Sequence, residues 1–190
     1  MCRRHPAVSR TAPEWARFRD VPLDDSCLHG YRRLMTRYVR AELEQKEPFH
    51  LREEEAFVNL LRTVAVLLQG VAETLKPHGL SPTQYNVLRI LRGAEPRGMA
   101  CREIGERMIT RDPDVTRLLD RLEDRGLVAR TRRREDRRVI TTRITDDGLR
   151  ILGKLEAPVR DLHTRQLGHL KARKLRTLIG LLEQARNKAG

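Results

Sequence analysis

"RDPDVTRLLDRLEDRGLVARTRRREDRRVITTRITDDG", residues Arg111 to Gly148, decides the fold. Its first half carries the punctuation of a helix: Asp112 as N-cap, Pro113 at the first helical position and Gly126 just beyond the end. Between them Val115, Leu118, Leu119 and Leu122 recur at i, i+3, i+4, i+7 and mark one inward face. The other face carries Asp114, Thr116, Arg117, Asp120, Arg121 and Asp124. After Gly126 the period changes. "LVARTRR" and "VITTRIT" predict two short strands around a charged loop near Arg134 to Arg137, that is, a β-hairpin. From Arg130 to Arg143 there are seven arginines against Glu135 and Asp136. A basic run bracketed by strand residues and capped helices is a structured element rather than a tail. Its charge suits a phosphate backbone or a minor groove.

Working outward, "SPTQYNVLRILRG" opens on a capping box, with Ser81 as N-cap, Pro82 at N1 and Gln84 at N3, and closes at Gly93. A brief extended piece, Gly98 to Ala100, precedes the short helix "ACREIGERM". That short helix, a turn and the capped helix at Asp112 make a helix-turn-helix, and the hairpin directly after it makes a wing. Upstream, a long helix runs from Arg52 to about Lys76, with acids in its first turn and Pro77 and Gly79 as stops. Phe57, Leu60, Leu61, Val64, Leu67, Leu68, Val71 and Leu75 form its core stripe. Val58, Ala65, Val66 and Ala72 widen that face beyond one stripe, which predicts a subunit interface as well as a core. Downstream, Thr145 caps a long helix in which Pro158 is a candidate bend. A last helix follows, with Leu175, Leu178, Ile179 and Leu182 inward.

The fold class is mainly α with a small β-hairpin wing: a winged helix-turn-helix flanked by long N- and C-terminal helices. Residues 1–51 are expected to be an N-terminal extension, a tail to about residue 23 and a helix from Asp25 to Glu47 ended by Pro48. The more regular pattern beyond Met35 makes that methionine an alternative start. Residues 52–190 form the domain, with 81–145 as the winged core and 52–78 plus 146–188 as its flanking helices.

The net charge of +13 argues against an acidic soluble-enzyme profile and points to a polyanion, nucleic acid before an anionic membrane. Aromatics at 4% are too few for the stacking platforms of single-strand binders. No stretch reads as the run of about 18 apolar residues that spans a membrane, and the Arg-rich start has no apolar signal core. Three scattered cysteines, Cys2, Cys27 and Cys101, suit a reducing cytoplasm rather than a disulfide or zinc framework. Gly-rich phosphate loops, G-x-S-x-G, HExxH and workable Ser/His/Asp spacing are all missing, so no enzyme and no cofactor are expected.

"SPTQYNVLRIL", "REIGERM", "DPDVTRLLDRLEDRGLVART", "EDRRVITTRIT" and "ITDDG" together resemble the MarR family of winged-helix transcriptional regulators, over about residues 53 to 188. The most specific parts are the "RGLV" exit, the wing's Asp136-Arg137-Arg138 and the run from Ile144 to Gly148. The resemblance implies a cytoplasmic homodimer on a pseudo-palindromic operator in double-stranded DNA, usually a repressor, often released by a small ligand or by oxidation. It also implies that the first and last helices form the dimer interface.

Site residues follow from the two readings together. Asp114, Thr116, Arg117 and Arg121 are the side chains placed to reach bases or phosphates from the helix after Pro113. Arg117 suits either a bidentate pair to guanine or a phosphate, and Asp114 either DNA or a helix N-terminal charge. Thr110 and Arg111 are expected backbone contacts, with Arg138, then Arg134 and Arg137, as wing contacts and Asp136 orienting an arginine. Tyr85 is the candidate for lining a ligand pocket, with a half-buried core role as the alternative. Cys101, near a helix start, is a redox candidate, with the more common role of a small buried hydrophobe as the alternative. The six histidines show no compact ligand spacing, so no metal is expected. The competing function is a winged-helix module for protein or non-specific nucleic-acid contacts, kept open by the acids on the helix after Pro113.

Overall fold

The computed structural model describes residues 38–110, 114–132 and 140–188. The chain divides into two compact units between Arg62 and Thr63. In the first, helix α1 spans Tyr38–Glu42. The helix expected to reach Glu47 stops five residues earlier. Glu44 adopts φ 51°, the Glu44 N–H donates to the Ala41 carbonyl at 3.3 Å and the Gln45 N–H to the Arg40 carbonyl at 3.0 Å. These are the two bonds of a Schellman C-cap, so the helix is closed before Pro48 is reached. The expected part of that helix before Tyr38, the tail and Met35 lie outside the described residues.

Helix α2, Arg52–Leu75, bears Glu53, Glu54 and Glu55 in its first turn, where the helix dipole favours acids. A single 3-10 turn, Lys76–His78, ends it. Helix α3, Pro82–Arg92, starts on the expected capping box: Ser81 Oγ accepts from the Gln84 N–H while Gln84 Oε1 accepts from the Ser81 N–H. Strand β1, Met99–Ala100, leads directly into helix α4, Cys101–Arg107. Helix α5, Val115–Asp124, strands β2, Val128–Arg132, and β3, Ile140–Ile144, helix α6, Asp146–Leu167, and helix α7, Lys171–Lys188, complete the described chain.

The predicted hairpin is β2 and β3, in register from Val128 opposite Ile144 to Arg132 opposite Ile140. The extended piece before α4 turns out to be its third strand. Met99 pairs with Thr142, giving an antiparallel sheet in the order β1-β3-β2. β3 is therefore central, and Thr141 and Thr142 are buried.

One apolar core joins the second unit. Leu88 and Leu91 of α3, Ile104 of α4, Leu119 and Leu122 of α5, Val128 and Ile144 of the sheet, and Leu152 and Leu155 of α6 meet there. The junctions are set by local chemistry. At the end of α5, Gly126 takes φ 66° and the Leu127 N–H bonds the Leu122 carbonyl at 2.9 Å, so the chain turns directly into β2. At the start of α6, Thr145 Oγ1 accepts from the Gly148 N–H and donates to the Gly126 carbonyl at 2.7 Å. A Cβ on Gly148 would lie 2.6 Å from Ile144 Cγ1 and closer still to the Leu127 carbonyl oxygen. The run from Ile144 to Gly148 is thus a cap with a glycine where backbone passes too near for a side chain.

Three expectations about the flanking helices are corrected. Of the α2 stripe, only Leu75 is buried and Leu67 and Val71 partly so; Phe57, Leu60, Leu61, Val64 and Leu68 are exposed, Phe57 at 61%. Among the described residues, the rest of this wide apolar arc is left uncovered. In α7, Leu175, Leu178 and Leu182 are half-buried but Ile179 is likewise exposed. Finally, Arg52–His78 is long and apolar enough to cross a membrane by length and composition alone; the sequence reading missed this because Arg62, Thr63 and Gln69 interrupt its apolar run. α6 runs unbroken through Pro158. Where it passes α2, Gln166 Nε2 donates to the Leu67 carbonyl at 3.0 Å beside Gly70.

Candidate nucleic-acid interface

The helix expected to begin at Asp112 and Pro113 begins at Val115, and the N-cap is Asp114. Residues 111–113 lie outside the described residues. Asp114 Oδ1 accepts the Arg117 N–H at 3.1 Å, and its Oδ2 pairs with Arg117 Nε at 3.1 Å. This carboxylate therefore closes the first turn and restrains the guanidinium one turn on. Thr116, Arg117 and Arg121 point away from the core and are exposed. Leu118, Leu119 and Leu122 hold the opposite face in the core. Thr110 is exposed in the turn before α5. That turn is pinned by the Ile109 N–H, which donates to Asn86 Oδ1 of α3 at 3.0 Å. The structure thus brings Thr116, Arg117 and Arg121 together on one surface. The wing candidates Arg134, Asp136, Arg137 and Arg138, and Arg111, lie outside the described residues.

The sequence reading missed how the hairpin is fastened to α5. Arg130 of β2 pairs with Asp120 Oδ1 at 2.7 Å and with Glu123 Oε2 at 3.6 Å. Its Nη2 donates to the Thr116 carbonyl at 3.2 Å, and its own N–H donates to Glu123 Oε1 at 3.0 Å. The side chain is only 21% exposed, so these contacts are better shielded than a surface pair. By sequence Arg130 is one of the seven arginines of the basic run. The signal was there: the two-residue period of a strand puts Arg130 on the same face as buried Val128, facing the helix. Asp120 and Glu123, one turn apart on α5, are the acids within its reach. A second arginine, Arg125, donates to the carbonyls of Gly79 and His78 at 2.5 and 2.9 Å, tying the end of α5 to the turn before α3.

The other two candidates have structural surroundings. Tyr85 is half-buried against the core, with the Arg89 guanidinium 5.9 Å from its ring centre. Cys101 is half-buried against the core, its Sγ 3.8 Å from Thr116 Oγ1 of α5.

A helix-turn-helix whose second helix is fastened to a basic hairpin is a winged helix-turn-helix. The sequence pattern of the MarR family matches residues 80–140. The MarR transcription factor from Planctomyces limnophilus has a similar structure, with a TM-score of 0.56 and 48% identity, covering 72% of this chain and 98% of that one. A mutant MarR from E. coli solved with operator DNA matches at a TM-score of 0.61 and 26% identity, over 66% of this chain and 89% of that one. CouR from Rhodococcus jostii RHA1, solved bound to p-coumaroyl-CoA, matches at 0.61 and 26%, over 72% and 95%. The transcriptional repressor MdtR of Bacillus subtilis is 40% identical over 76 residues, which are 40% of this chain and 48% of MdtR. The chain belongs to the MarR family. It is a DNA-binding transcriptional regulator and not an enzyme, and its relatives include repressors.

Proposed function

We propose that this regulator works in the cytoplasm as a homodimer. Each α5 enters the major groove of one half of a pseudo-palindromic operator, and binding represses transcription until a small ligand releases it. The observation that carries the reading is the exposed set Thr116, Arg117 and Arg121 on a helix held to the basic hairpin through Arg130. The exposed apolar face of α2 supports the dimer, because a second copy is the surface that would cover it. The operator complex of the E. coli relative supports double-stranded DNA as partner. The p-coumaroyl-CoA complex of CouR supports a small effector, and the repressor MdtR supports the sign of regulation. The competing reading, a module for protein or non-specific contacts, drew on the acids of α5. Asp120 and Glu123 are engaged with Arg130, and Asp114 with the cap and Arg117, so these carboxylates are matched within the fold.

The test is binding to the region upstream of the chain's own gene, titrated against random duplex at two salt concentrations. A palindrome should be protected, with half-sites about one helical turn apart and a preference of roughly 10³ or more over random DNA. With about three to five phosphates neutralised per subunit, log K should fall against log salt with a slope of about −5 to −9 per dimer. Arg138→Ala should weaken binding to every duplex. Arg117→Ala should also flatten the preference, by about 1–3 kcal/mol if it reads a guanine. Equal binding by wild type and Arg138→Ala would remove the wing from the mechanism.

A further inference from the structure

We propose that Ile109 reads a thymine methyl group in the operator, next to the bases faced by α5; this rests on the DNA-binding reading above. Ile109 is 83% exposed, the most exposed large hydrophobic side chain among the described residues. Its backbone is held in place, because its N–H donates to Asn86 Oδ1 at 3.0 Å. The preceding residue sets its direction. Met108 is extended, at φ −66° and ψ 142°, and is buried. In extended backbone successive side chains point opposite ways, so anchoring Met108 inward turns Ile109 outward.

That outward direction lies beside the reading helix. α4 packs closely on the first turn of α5: Cys101 Sγ is 3.8 Å from Thr116 Oγ1, and a Cβ on Gly105 would lie 3.4 Å from Val115 Cγ2. The turn carrying Ile109 and Thr110 therefore adjoins the N-terminal end of α5, the end that enters the groove in a helix-turn-helix. Among the base edges of the major groove, the thymine methyl is the apolar group that complements an aliphatic side chain, and it carries sequence information that sugar and phosphate do not. A protein partner fits less well. Among the described residues of this turn, Arg107 and Thr110 are exposed and polar and Met108 is buried, so Ile109 is a single apolar side chain on a polar turn rather than part of the broad apolar patches such partners cover.

The experiment uses the full chain and the duplex it selects most strongly from a random-sequence pool, made in two forms, with thymine or with deoxyuridine. Wild type should bind the deoxyuridine form about 15-fold more weakly, the scale of one lost methyl contact in each half-site. Ile109→Ala should bind the thymine form about 15-fold more weakly than wild type, since both subunits lose the contact, and should be indifferent to the exchange. Its melting temperature should match wild type, since the side chain is exposed. If Ile109→Ala keeps the full thymine preference, or loses affinity equally on random duplex, the methyl contact is wrong while the regulator reading stands. If wild type selects no preferred duplex, both fall.

Discussion

The winged core and helix α2 are built from the same kind of leucine-rich periodicity, yet they end in opposite states. Leu88, Leu119, Leu122 and Leu152 are sealed within one chain. Phe57, Leu61, Val64 and Leu68 repeat at the same helical spacing and stand in water. Periodicity therefore tells which side of a helix is apolar, and not whose atoms will cover it. The core is closed because helices α3 to α6, the three strands and their caps converge on it within one stretch of chain. α2 carries more apolar arc than the described residues cover. An exposed stripe of this length is stable in a folded protein when a second surface takes it out of water.

Breaking that second surface should have the largest effect. Val64→Arg with Leu68→Arg places two charges on the exposed stripe and touches none of the buried core. The variant should sediment as a monomer and keep the helix content of the wild type. Its affinity for the palindrome should fall about 10²–10⁴-fold, because the second half-site is no longer tethered. A variant that stays dimeric and binds normally would move the subunit interface off α2. The opposite manipulation gives the next effect. Leu119→Ala, at a side chain 1% exposed, should cost about 2–5 kcal/mol of folding stability. Denaturant titration should register that loss while the subunit stoichiometry of the folded fraction is unchanged. The pair separates the two fates of the same residue type: one substitution dissociates folded chains, the other unfolds them.

What was legible in the sequence follows the same division between local and non-local. Ser81 with Gln84, Gly126, and Thr145 with Gly148 act on backbone groups within a few residues, so their roles could be read directly, and the structure uses each as expected. Asp112 and Asp114 flank one proline, and either is chemically competent to cap a helix. The choice of Asp114 goes with the packing of α4 against Val115 and the pair to Arg117, which no local rule contains. The short β1 was visible only as an extended piece, since its partner Thr142 lies more than forty residues further on. Arg130 illustrates the limit most clearly. In a run of arginines it is indistinguishable by type from its neighbours, and only the strand's alternation and the position of Asp120 and Glu123 select it. Exposure along α2 and at Ile179 was illegible because it depends on which surface covers a helix, and periodicity reports only which side is apolar.

Arg130 also offers the next smaller test. Arg130→Gln keeps the side-chain stem and one hydrogen-bond donor while removing the charge that holds Asp120 and Glu123. At a side chain only 21% exposed, the cost should be about 1–2 kcal/mol of stability, in the range of hydrogen bonds to charged groups. The informative readout is binding rather than melting. With the hairpin no longer aligned to α5, the loss caused by Arg138→Ala should shrink in the Arg130→Gln background. Additive losses would mean that wing and helix engage DNA independently and that Arg130 is structural alone.

The smallest expected effect comes from an ion pair of the same composition in the opposite setting. Arg102 Nε lies 3.0 Å from Glu106 Oε1, one turn along α4, but its side chain is 90% exposed. A pair so placed loses in side-chain ordering and solvent screening most of what attraction supplies. Arg102→Ala should therefore shift stability by no more than about 0.5 kcal/mol. The comparison with Arg130 is then one of burial, since both are guanidinium–carboxylate pairs close to 3 Å on adjacent elements of one domain. DNA binding sharpens it further. A loss of affinity by Arg102→Ala on every duplex, with melting unchanged and the salt slope lowered by about 1 per subunit, would mark a phosphate contact on α4. Unchanged binding would confine the phosphate contacts to the turn, α5 and the wing.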